Sequence, residues 1–74
     1  MISVVKRKKD PKQEQMRAIS EEIRIVSDAL EAADAGFNEV SDEDLLEAII
    51  YERSALRARY SFLIKELKRI GSDT

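Results

Sequence analysis

Met16, Ile19, Ile23, Val26, Leu30, Ala33 and Phe37 recur at alternating intervals of three and four residues. This heptad stripe is the narrow apolar seam of a helix lying along another helix, and no other feature constrains the chain as much. Its start is equally well marked. Asp10 is an N-cap acceptor, Pro11 suits the first helical position, and Gln13 stands where a capping box wants Glu or Gln. Gly36 stands where a left-handed residue ends a helix, which predicts a first helix over about residues 11–35. A second start follows. Ser41 is the expected N-cap, Asp42, Glu43 and Asp44 face the positive end of the helix dipole, and Val40 with Leu45 would form a hydrophobic staple. No glycine or proline interrupts the chain from there to Gly71, and Lys65, Lys68 and Arg69 favour the negative end of the dipole. The second helix is therefore expected over about residues 42–70. A short connection between two helices makes an antiparallel hairpin. The predicted fold is all-α: a helical hairpin over residues 10–71, a basic and disordered tail at 1–9, and a C-terminal tail at 72–74.

The second helix carries two apolar faces. Leu45, Leu46, Ile49, Leu56, Tyr60, Leu63, Ile64, Leu67 and Ile70 fall on one broad face, with Ile50 at its edge. Laid against the first seam, this face places Leu30 near Ile49, Ile23 near Leu56, Ile19 near Tyr60 and Met16 near Leu63. Arg53 falls inside the same face opposite Val26, so it should carry its head out to water or find Asp28 or Glu22. The second stripe is Tyr51, Ala55, Ala58 and Phe62, and the first helix has its own in Ala18, Ile25, Ala29 and Ala32. A lone hairpin has one buried interface, and a chain this small gains little from one thin core. Tyr51, Ala55, Ala58 and Phe62 are thus expected to carry association, with Ile25 and Ala29 facing them or a partner. A homodimer closing a four-helix bundle is the expected assembly. An unidentified protein on the same stripe is the other candidate.

Composition removes most chemistry. The chain has no cysteine and no histidine, so thiol nucleophiles, thiolate metal sites and the commonest general base are absent. Carboxylates alone would have to hold a metal, and the Glu-x-x-His pattern of ferritin-like sites is missing. No cofactor and no small-molecule substrate are expected. No apolar run approaches the roughly 20 residues of a membrane span. In MISVVKRKKD the apolar residues precede the basic ones, the reverse of a secretory signal, so a cytoplasmic location is expected. Charge is uneven: residues 1–19 carry +4, residues 20–52 carry −10 and residues 53–74 carry +4. Folded as a hairpin, the chain gathers its bases at the open end.

The segment FNEVSDEDLLEAIIYERSALRARYSFLIKELKR (Phe37–Arg69) resembles the YaaL-like proteins, small cytosolic proteins of Gram-positive spore-forming bacteria and their relatives. Asp44, Leu46, Ala48, Ile49, Tyr51, Glu52, Ala55, Arg59, Tyr60, Ser61 and Leu63 carry the resemblance. That family is of unknown function, so the likeness implies a helical fold, a bacterial cytosolic setting and no catalysis. Its genes tend to sit near recombination and sporulation genes.

The resulting expectation is a small non-enzymatic helical interaction protein. The alternative is nucleic-acid binding in the manner of the Rop-like helical hairpins, through Lys6, Arg7, Lys8 and Lys9 with Lys65, Lys68 and Arg69 at the open end. The negative net charge and the lack of a base-stacking platform rank it second. A tether to anionic membrane through Ile2, Val4, Val5 and the basic run is weaker still. Residues Ser41–Lys65 also loosely resemble a helical chorismate mutase, with Glu52, Arg53 and Lys65 as equivalents. Such enzymes need a further helix after the Glu-Arg pair, and only Ser54–Thr74 remain here, so this reading stands last.

Overall fold

The computed structural model describes residues 10–72. They form two helices, α1 (Pro11–Glu39) and α2 (Glu43–Gly71), joined by Val40–Asp42, and no strand occurs among the described residues. Each helix has 29 residues, a length of about 43 Å. They run antiparallel. Gly36 faces Ile49 near the connection, and Gly71 faces Met16 at the open end. The tail expectations for residues 1–9 and 73–74 lie outside the described residues. Ser72, expected in the tail, caps α2: its hydroxyl and backbone N–H donate to the Lys68 carbonyl at 2.8 and 3.0 Å.

The start of α1 follows the expected chemistry. Asp10 is extended, and its carboxylate accepts from the Lys12 N–H at 3.1 Å. The end does not. α1 passes through Gly36 and continues to Glu39, and the Val40 N–H donates to the Gly36 carbonyl at 3.2 Å. Glycine permits a left-handed end without requiring one. The extra turn half-buries Phe37 and sets its ring 5.3 Å beneath the Arg53 guanidinium. That contact is a reason for the helix to go on. The cap of α2 is likewise Asp42 rather than Ser41: its carboxylate accepts from the Asp44 and Leu45 N–H groups at 2.9 and 3.1 Å. A carboxylate gives charge-assisted bonds there. With the cap moved, Val40 and Leu45 no longer occupy staple positions.

Every member of the α1 stripe is buried or half-buried, and Val26 and Ala33 are the most enclosed. On α2 the seam centres on Leu63 and Ile70, with Leu46, Ile49, Leu56, Ile64 and Leu67 half-buried around them. Two expected seam residues are exposed. Leu45 stands in the first turn of α2, beside the connection and clear of the seam, and Tyr60 lies at the seam's margin. The register is also later than expected. Met16 stands at the level of Gly71 rather than Leu63, because α1 is longer and the turn is displaced towards α2.

That shift changes the partner of Arg53. Its Nε lies 2.7 Å from Asp34 Oδ1, not beside Asp28 or Glu22. The N–H is not aligned with that oxygen, so the contact is an ion pair and the buried Nε proton has no acceptor. Arg53 therefore neither extends fully to water nor completes its hydrogen bonding. Glu22 pairs instead with Arg59, and Asp28 with Arg24.

Gly36 separates the two helix endings by experiment. A methyl there would stand 3.7 Å from Ile49 Cδ1, an ordinary contact. Gly36→Ala is expected to raise stability by about 0.5–1 kcal/mol in urea denaturation, as in a helix interior; a left-handed residue would lose stability instead. At the cap, Asp42→Ala should cost about 1 kcal/mol in the same assay, whereas Ser41→Ala should cost almost nothing. For the seam, Asp34→Ala is expected to cost about 0.5–1 kcal/mol in the native background and nothing beside Arg53→Met. An equal cost in both backgrounds would show that the ion pair contributes nothing.

Candidate interaction surface

Among the described residues, two ion pairs cross between the helices and mark the two flanks of the hairpin. Glu22 with Arg59 lies on one, Asp34 with Arg53 on the other. A step of 100° per residue assigns the rest. On the Glu22–Arg59 flank α1 carries Ala18, Ile25, Ala29 and Ala32. On the same flank α2 carries Ala55 and Phe62, passing round to Tyr51 and Ala58 at its back. The Asp34–Arg53 flank carries Ser20, Ser27, Arg57, Ser61 and Lys68, with the half-buried Leu46 and Ile64, Ile50 and the edge of Tyr60 as apolar members. The Asp34–Arg53 flank therefore mixes polar residues with apolar ones that are partly covered at the seam, whereas the other is lined by alanine and large exposed apolar groups.

On the apolar flank Tyr51 is 67% exposed, Phe62 58% and Ile25 49%. Ala55 and Ala58 are exposed as well, and Ala29 is half-buried. The fold thus brings Ile25 and Ala29 to the same side as the α2 stripe, with Ile25 about level with Arg59 and Phe62. Period alone supplies the stripe on each helix. The crossing of Glu22 with Arg59, which shows that both stripes share a flank, depends on the register.

The basic residues sit where hairpin topology sends them. Lys65, Lys68 and Arg69 occupy the last turns of α2 at the open end, and all three are exposed. Arg69 donates to Glu66 at 2.8 Å, and this hydrogen bond, more than the accompanying charge, holds the Glu66 carboxyl below its usual range. On α1, Arg24 bridges Glu21 at 2.6 Å and Asp28 at 2.9 Å and lowers the Glu21 carboxyl in the same way. Lys6, Arg7, Lys8 and Lys9 lie outside the described residues.

Glu52, Arg53 and Lys65 do not converge. Arg53 is engaged in the seam by Asp34 and Phe37, and Lys65 lies about 18 Å further along α2. Among the described residues no cluster of three or more His, Cys, Asp or Glu side chains is placed to hold a metal ion, and no helix is long and apolar enough to cross a membrane.

Comparison with curated proteins and with solved structures finds no match. A family model does match, that of a protein of unknown function (DUF2508), over residues 4–71. The match takes in both helices, the connection between them and the whole of the apolar flank. The chain belongs to the DUF2508 family of proteins of unknown function.

Proposed function

We propose that this chain is a small non-enzymatic interaction protein that pairs with a second copy of itself through the apolar flank, completing a four-helix bundle. The supporting observation is the exposure of Tyr51, Phe62 and Ile25 on one side of a hairpin whose own core is thin. Among the described residues only Val26, Ala33, Leu63 and Ile70 are buried, and no side chain falls below 2% exposure. Covering the two aromatics would contribute about 1–2 kcal/mol each, before the cost of association. The exposed alanines Ala55 and Ala58 allow a second helix to approach closely. Within this reading the chain is YaaL-like, with the bacterial cytosolic setting that the kinship implies. The motif residue Tyr51 then belongs to the pairing surface, and Tyr60 to the margin of the seam. An unidentified protein is the competing occupant of that surface.

Nucleic-acid binding through Lys65, Lys68 and Arg69 ranks second, because residues 20–52 place a net −10 on the same small molecule. At low salt it would show as a mobility shift of RNA or DNA.

Light scattering at tens of micromolar should give twice the chain mass. Tyr51→Glu combined with Phe62→Glu should return the chain to monomer while circular dichroism still reports a helical protein. A monomeric wild type would overturn the reading.

A further inference from the structure

Resting on the self-association proposed above, we infer that the two copies pair α2 against α2 in opposite directions, the acidic half of each helix lying on the basic half of the other. The charge of α2 and its cap divides cleanly. Asp42–Glu52 holds five acids and no base, and Arg53–Ser72 holds six bases and one acid. The division also appears on the face that carries the apolar stripe. Stepping 100° per residue from Tyr51, Asp44 and Glu47 fall on that face one to two turns before it. Lys65 and Arg69 fall on it one to two turns after Phe62. All four are exposed.

The face is self-complementary under a twofold axis perpendicular to the helix, centred between Ala55 and Ala58. That rotation carries Tyr51 onto the level of Phe62 and Asp44 onto the level of Arg69, and brings Glu47 beside Lys65. The two alanines meet at the axis, where helices must approach most closely. Arg69 keeps its bond to Glu66 and still presents its charge outward, its side chain being 61% exposed. An axis along the helices would instead set acid against acid at one end and base against base at the other. Like charges in register are repulsive, so the reversed arrangement is the one that electrostatics selects.

Direction is readable from one distance. The chain has no cysteine, so Ser41→Cys accepts a single spin label in the exposed connection, outside the stripe and at a residue whose side chain does not cap α2. In the reversed dimer the two connections lie at opposite ends, about 45 Å apart. In a same-direction dimer they lie side by side, within about 20 Å at the usual helix spacing. Pulsed dipolar spectroscopy at about 45 Å supports the inference. A short distance in a sample that scatters as a dimer overturns it and leaves the pairing itself standing, whereas a monomer overturns both. A second measurement uses Asp44→Lys with Glu47→Lys. This pair should raise the dimer Kd at least about tenfold at low salt, and less at high salt. An unchanged Kd also overturns the inference, since same-direction pairing would only exchange one like-charge contact for another.

Discussion

Two helices lying side by side can remove from water only the strip along which they touch, and everything else about this hairpin depends on how narrow that strip is. Alternation of three- and four-residue steps keeps Met16 to Phe37 on one line of α1, and the line meets Ile49, Leu56, Leu63 and Ile70 on α2. The enclosed part is small, with Val26, Ala33, Leu63 and Ile70 as the only buried members among the described residues. A core of this kind contributes few kcal/mol once chain entropy is offset. Helix capping at Asp10 and Asp42, worth about 1 kcal/mol each, is therefore a large share of the whole.

Arg53 shows how the seam is tuned near the connection. It occupies a heptad position that an aliphatic residue would fill, yet it is placed between an aromatic face and a carboxylate. Phe37 supplies that face only because α1 runs on past Gly36. The extra turn, the short connection and the later register are thus one event. If α1 ended at Gly36, Phe37 would leave the helix and Arg53 would lose the ring beneath its guanidinium. The remaining ion pairs lie on the surface, where each contributes little. Glu21 and Glu66 have lowered folded pKa values, so their pairs with Arg24 and Arg69 act above the ordinary carboxylate range and are lost as the pH falls through the lowered values.

Hairpin class, both helices and the α1 seam are legible in the sequence because each rests on a repeated signal: period, capping and the lack of breakers. Gly36 and Ser41 mislead because each is a single residue with two acceptable roles. Glycine tolerates a helix interior, and serine beside aspartate loses the cap to the charged acceptor. Register is harder still. The same heptad pattern fits itself after a shift of one heptad, so the partner of Arg53 is set by turn length, which period does not encode. The exposure of Tyr51, Ala55, Ala58 and Phe62 is readable from phase alone. That Ile25 and Ala29 share their flank is not, since it requires knowing which sides of the two helices face together.

A division of labour between the faces follows. Substitutions in the seam act on the folded hairpin directly, whereas under the proposed pairing those on the Tyr51–Phe62 stripe would act through association and so depend on protein concentration. In a molecule with so thin a core the two would be coupled, because the proposed pairing would add stability to a hairpin that has little to spare. If the chain pairs as proposed, its stability should rise with the free-chain concentration c as about RT ln(1 + c/Kd), and the stripe would then become part of what keeps the hairpin folded.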